Sequence, residues 1–274
     1  MAKKDTLSGF SEKLLQGAGL GSGKDYRPWL DARTTASHGV CSQIPGIKTG
    51  RIHHGLSANE KNFFYLIEFD SRVTDIREQF PLLPISLAMQ HAQDLGIKYP
   101  TIPKTETPCV LTTDFVITYA DSGKTKYAAF SVKPKKGLTT KRDFEKQELE
   151  RIWWEGLDIP WKIFLNDEQD KIIANNIRWL SQPLRDGNQK ARSDLDAILA
   201  AIEPGTYNID YLFTSLAQIT GLSTSESSEC FRTLVWNHLI DLDVEDDLLK
   251  TGILHIRSRA NLQTKVAIYG TYDR

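Results

Sequence analysis

An aspartate, Asp114, and a lysine, Lys133, stand on either side of Ala120-Asp121-Ser122-Gly123-Lys124-Thr125. The runs flanking that turn-forming stretch, 110–119 and 126–132, are rich in β-formers, so the pattern predicts a hairpin. With the turn centred near Ser122 and Gly123, Asp114 falls opposite Ser131 within a residue or two. Alternation then puts Ser131 and Lys133 on one face, while Phe130 and Val132 point to the other. A carboxylate and an ammonium converge. Metal-assisted hydrolysis of a phosphodiester needs such a pair, the acid as an oxygen ligand to Mg2+ and the lysine to steady the attacking water or the developing charge. A surface ion pair would leave the same trace.

The elements that must position this pair can be read outward from it. Ser57 can cap a helix over 58–69, in which Phe63, Phe64 and Ile67 recur at helical spacing and Glu60 lies in the first turn. Residues 73–81 alternate and stop at Pro81, which predicts a strand. A helix is expected over 141–155, and Trp161-Lys162-Ile163-Phe164-Leu165 reads as a buried strand. The order helix, three strands, helix, strand predicts an α/β fold, a mixed sheet flanked by helices. Residues 1–50, rich in Gly, Ser, Thr and Lys, read as an arm over that core. After Asn166-Asp167-Glu168 the character changes to helices at 168–180, 192–202, 207–220 and 224–237, followed by apolar runs at 239–244 and 252–258. That is the order of a winged helix-turn-helix. The expected domains are 1–168 and 169–274.

The whole chain of 274 residues, 40% hydrophobic and 25% charged, can bury a substantial core. Its net charge of −1 excludes a histone-like DNA coat, so any nucleic-acid binding must be local. Residues 169–274 hold 11 Lys and Arg against 14 Asp and Glu, which makes the C-terminal half the acidic one. Cys41, Cys109 and Cys230 lie far apart, with no C-x-x-C, which argues against a disulfide scaffold and a zinc module. With no apolar leader and no run of about 18 apolar residues, a cytoplasmic protein without membrane insertion is expected.

Asp114 followed by Ser131-Val132-Lys133 resembles the PD-(D/E)xK nuclease superfamily, whose pattern is an acid on one strand and acid-x-lysine on the next. Here serine holds the second acid position. A hydroxyl is a weaker Mg2+ ligand than a carboxylate, so another acid must come from elsewhere, and Glu60 is the candidate. Further motifs narrow the resemblance to the TnsA family of transposon-end endonucleases. They are Gly23-Lys24-Asp25-Tyr26 with Pro28-Trp29-Leu30, Lys48-Thr49-Gly50-Arg51 with His53-His54, and Leu56-Ser57 with Glu60. Asp75-Ile76-Arg77-Glu78-Gln79-Phe80-Pro81-Leu82-Leu83-Pro84, Thr113-Asp114-Phe115, Val132-Lys133-Pro134 and Glu148-Leu149-Glu150-Arg151 follow in order. The resemblance implies a restriction-endonuclease-like catalytic core, catalytic Glu60, Asp114, Ser131 and Lys133, and Mg2+, or alternatively Mn2+, held by Glu60 and Asp114. It also implies cleavage of double-stranded DNA at the 5′ ends of a bacterial transposon, with a DDE transposase (TnsB) and an AAA+ regulator (TnsC) as partners. The rival readings are a stand-alone restriction or repair nuclease and a non-catalytic DNA-binding adaptor.

Other features carry less. Gly17-Ala18-Gly19-Leu20-Gly21-Ser22-Gly23-Lys24 suggests a phosphate loop, but Ala18 and Asp25 occupy positions where the motif needs Gly and Ser or Thr, so ATP binding is rejected. His53 and His54 are expected to point apart, touching DNA or fastening the arm. Trp153, Trp154, Trp161 and Trp179 read as core. Lys133, Lys135, Lys136, Lys141 and Arg142 form a basic run near the site, suited to phosphate contact or to a solvated face. Glu148 and Glu150 are expected on a helix surface, with Glu150 the one that could also support the metal. In the C-terminal half the expected recognition helix, 224–237, sets Glu226 and Glu229 against Arg232, and Asp241, Asp243, Glu245, Asp246 and Asp247 follow. That charge pattern predicts docking to protein partners rather than a grip on DNA, with Arg257, Arg259 and Lys265 as the remaining backbone contacts.

Overall fold

The computed structural model describes residues 7–32 and 41–260, and the chain divides into two compact units, Met1–Asp167 and Glu168–Arg274. In the first, α1 (Leu7–Leu15) precedes a hairpin of β1 (Ser42–Pro45) and β2 (Ile52–Gly55). Then come α2 (Ala58–Phe69), β3 (Val73–Pro81), α3 (Ile85–Asp94), β4 (Thr112–Asp121), β5 (Lys124–Pro134), α4 (Lys141–Glu155) and β6 (Trp161–Asn166). Of the β1–β2 hairpin only β1 falls within the expected arm of residues 1–50, β2 lying just beyond it, and α3 is a helix that the sequence pattern did not predict.

The sheet order is β3-β4-β5-β6, antiparallel except for the parallel pair β5–β6, whose crossover is α4. The central hairpin closes more tightly than the turn chemistry suggested. Asp121 pairs with Lys124, leaving a two-residue loop in which Ser122 and Gly123 both have positive φ, 52° and 76°. Such a type I′ loop matches the strand twist and sets the register without slack. The ladder ends at Phe115 paired with Phe130, and the same register continued by one residue sets Asp114 opposite Ser131. The strand at 161–166 is an edge strand with Leu165 47% exposed, not a buried one, because only β5 pairs with it.

Each face of the sheet has its own cover. On one, Phe63 of α2 packs its ring 5.4, 5.2 and 4.7 Å from Phe115, Phe130 and Phe164. On the other, Val116 and Ala129 meet Trp153 and Trp154 of α4 and Ala88 of α3. Burying aromatic side chains on both sides holds β4 and β5, the strands that carry Asp114 and Lys133, in a rigid layer.

The second unit runs α5 (Glu168–Arg185), α6 (Arg192–Ala201), β7 (Gly205–Asn208), α7 (Ile209–Thr220), α8 (Thr224–Trp236), β8 (Ile240–Leu242), α9 (Leu248–Thr251) and β9 (Ile253–Arg259). Its three strands form an antiparallel sheet in the order β7-β9-β8. Among the described residues no helix is long and apolar enough to cross a membrane.

Candidate active site

The hairpin register brings Asp114 to the end of the β4–β5 ladder, where Oδ2 accepts the Val132 N–H at 2.7 Å and the Lys133 ammonium at 3.0 Å. Lys133 Nζ also donates to the Val132 carbonyl at 3.2 Å. Among the described residues no donor reaches Asp114 Oδ1. The two side chains stay partly open, 17% and 27% exposed, enough to meet a substrate. Burial works against the charge of Lys133, but Asp114, Glu150 and Glu60 outweigh it and hold the ammonium above its ordinary pKa.

Glu60 is placed by the start of α2. The Ser57 hydroxyl accepts the Glu60 N–H and donates to Glu60 Oε1 at 2.8 Å, while Oε2 accepts the Leu56 N–H at 3.1 Å and the Gln79 amide at 3.1 Å. Burial first, and then the charge of Asp114, push the Glu60 carboxyl up to about 7, against the pull of Leu56, Ser57 and Lys133. A carboxylate has about four lone-pair sites, so Oε2 is filled and Oε1 retains one.

Ser131 is fully buried, and its hydroxyl is engaged by an acid of α4. Its hydroxyl donates to Glu150 Oε2 at 2.5 Å, and the same oxygen accepts from Thr113 Oγ1 at 3.1 Å and Trp161 Nε1 at 3.4 Å. Thr113 is itself fixed by the Trp154 indole N–H at 2.7 Å. Glu150 therefore is no surface residue. It is buried against the site, and burial, then Asp114, raise its carboxyl to about 7. Glu148 does lie on the surface, paired with Arg151 at 2.6 Å. The signal for Glu150 was in the spacing: Gln147, Glu150 and Trp154 recur at i, i+3 and i+7, which places an acid on the apolar stripe of α4.

The donors suit a hard cation. Asp114 Oδ1 and Glu60 Oε1 are carboxylate oxygens with free lone pairs, while Gln147 Oε1 is buried beside Glu150 without a donor among the described residues. Mg2+ is typically held by one or two carboxylates and keeps several waters, so the set fits. Among the described residues no group of three or more His, Cys, Asp and Glu is arranged to hold a metal ion by itself.

The remaining motif residues build the scaffold. Glu78 takes Arg51 through both oxygens, at 2.8 and 2.6 Å, with His53 Nδ1 2.8 Å from Oε2 and the His54 N–H donating to Oε1 at 3.0 Å. His53 and His54 thus fasten the β1–β2 hairpin to β3. The phosphate-loop look-alike is sewn to the same strand: Gly23 N–H donates to Asp75 at 3.2 Å and the Tyr26 hydroxyl to the Glu78 carbonyl at 3.0 Å. Trp153 and Trp154 are core, whereas Trp161 and Trp179 are only partly buried. In the basic run, Lys135 pairs with Asp167 and Arg142 with Glu145.

A family model described as "TnsA-like endonuclease N terminal" matches residues 70–166, from the turn after α2 to the end of β6. The chain is also 44% identical over 185 residues to the Escherichia coli protein "Transposon Tn7 transposition protein TnsA", covering 66% of this chain and 66% of that one. The sheet, the hairpin carrying Asp114 and Lys133, and these two matches lead to one conclusion: the chain belongs to the TnsA-like endonuclease family.

Proposed function

We propose that the chain is a Mg2+-dependent DNA endonuclease that cleaves the 5′ ends of a transposon. The observation that carries this reading is the pair of unfilled carboxylate oxygens, Asp114 Oδ1 and Glu60 Oε1, on groups that feel one another's charge and share Lys133. Asp114 and Glu60 would hold the cation, which supplies a polarised phosphoryl oxygen and a more acidic water. The chain's own work is electrostatic and geometric. Lys133, kept charged by three carboxylates, neutralises charge developing on the phosphate. Glu150, oriented by Ser131, Thr113 and Trp161, stands where the usual second-strand acid is missing, so the serine serves the site as a donor to an acid rather than as a ligand.

The order α6, β7, α7, α8, β8, β9 with the sheet β7-β9-β8 supports reading the second unit as winged-helix-like, with α8 as its third helix. Its surface suits proteins better than DNA. The second half of α8 is buried, α5 packs along it, and the Arg232 guanidinium lies 5.3 Å over the Trp179 ring. Arg257 pairs with Asp243 at 2.6 Å and Arg259 with Glu203 at 2.7 Å, while Lys265 lies outside the described residues. We read this unit as the docking module for a TnsC-type ATPase, with a TnsB-type transposase cutting the 3′ ends.

The test is cleavage of a DNA bearing transposon ends, with and without transposase and ATPase, in Mg2+. Glu60→Ala, Asp114→Ala and Lys133→Ala should each lower 5′-end cleavage by about 10²–10³-fold or more while the fold persists. Full activity in Asp114→Ala would sink the assignment. Cutting that needs no transposase would favour the stand-alone nuclease, and metal-independent DNA binding without cutting would favour the adaptor.

A further inference from the structure

Gln79 is a strand residue with φ of 48°, in the left-handed region that a side chain other than Gly, Asn or Asp seldom adopts. The ladder continues on both sides of it without a shift, Glu78 with Phe115 and Phe80 with Thr113, so the strained residue sits across from Asp114. The side chain is 3% exposed and both ends of its amide are engaged. The Thr112 hydroxyl donates to Oε1 at 3.0 Å, and Nε2 donates to Glu60 Oε2 at 3.1 Å. A carboxylate oxygen needs a donor, which fixes the amide's orientation. The backbone is pinned as well, since the Trp29 N–H donates to the Gln79 carbonyl at 3.1 Å.

We propose that Gln79 is a positioning residue: by filling the second lone pair of Glu60 Oε2, it leaves Oε1 as the oxygen turned to the metal. Glu60 would then offer a bound Mg2+ one oxygen rather than two, which suits an ion that is usually held by one or two carboxylates and keeps several waters. The inference rests on Glu60 and Asp114 being metal ligands. Outer partners of this kind contribute about 10–100-fold to metal affinity.

The experiment measures Mn2+ affinity of the full-length protein by electron paramagnetic resonance, together with the Mg2+ dependence of end cleavage. Gln79→Met keeps the bulk and deletes the donor; Gln79→Gly frees the left-handed backbone and deletes it too. Both should bind Mn2+ about 10–100-fold more weakly than the parent, with cleavage recovering at high Mg2+. Since glycine relieves the backbone, a folded Gln79→Gly with weakened binding separates positioning from a merely structural role. Parental Mn2+ affinity in either folded variant would overturn the proposal. Asp114→Ala is the control for the underlying reading: if it too binds Mn2+ like the parent, the metal site itself is misplaced and the role of Gln79 falls with it.

Discussion

Two buried carboxylates, Glu78 and Glu60, belong to neighbouring hydrogen-bond networks joined through β3, yet they are held in opposite states. Glu78 is met by an arginine fork, a histidine and a backbone N–H. Burial would raise its pKa, but Arg51 and His53 overcome that and hold it well below the ordinary carboxylate range. Glu60 is met by neutral donors and by the like charge of Asp114, and it is pushed up to about 7. The first network balances its charges and leaves no vacant capacity on the carboxylate. The second is crowded with acids, short of cations and keeps unfilled lone pairs. Burial is common to both, so burial does not mark a site; the imbalance between charge and compensation does.

The contrast can be broken at its strong end first. Removing one partner of the closed network, by Arg51→Ala, should leave a buried charge uncompensated and cost about 3–5 kcal/mol in urea unfolding followed by tryptophan fluorescence. A loss below about 1 kcal/mol would mean that the network is not the clamp described. At the open end the sign should reverse. Glu60→Gln removes a charge that the folded, metal-free protein tolerates poorly, so at pH 8 its melting temperature should rise by about 2–4 °C. That gain should vanish by pH 5, where the parent carboxyl is protonated.

The pH profile sharpens the same comparison. Glu60 and Glu150 titrate near 7 in the folded chain and near about 4.3 when unfolded, so the folded state holds extra protons in that window. Stability of the metal-free protein should therefore fall as pH rises from about 4.3 to 7. Glu78 has the opposite sign: its contribution is complete above about 4.3 and is lost as pH falls. Thermal melts across this range should peak near pH 5, and Glu78→Gln should flatten only the acid limb. A stability that climbs steadily to pH 7 would refute the assignment of the open cluster. Smallest of all, Ser131→Ala should lower cleavage by only about tenfold, because it costs Glu150 one of its donors but the metal no ligand. A loss equal to that of Glu60→Ala would make the serine a principal ligand.

The hairpin, α2, β3 and α4 could be read from the sequence because local rules dominate there: Ser57 as a cap, Pro81 as a stop, Ser122-Gly123 as a turn and a heavily aromatic pattern. The Asp114–Lys133 juxtaposition followed from that register alone. Glu60 came from the motif around it, since its approach to Asp114 runs through a helix start and a strand distant in sequence. Glu150 was half seen; its charge suggested surface, while its place on the Trp153 and Trp154 stripe put it inside. Gln79 left no trace, because a left-handed φ in a non-glycine strand residue is imposed by tertiary contacts. The β1–β2 hairpin was hidden for the same reason. Its anchor is Glu78, a contact between segments that no local pattern joins.

Ser57 opens α2 and also holds the carboxyl of Glu60, with a single hydroxyl doing both. Helix ends fray more readily than any other part of a helix, and here fraying undoes the very bond that aims the acid. A half-folded chain is consequently a disarmed one. In a TnsA-like endonuclease the aim of this acid is thus tied to the closing of the helix's first turn: the candidate site is only as well formed as that helix end.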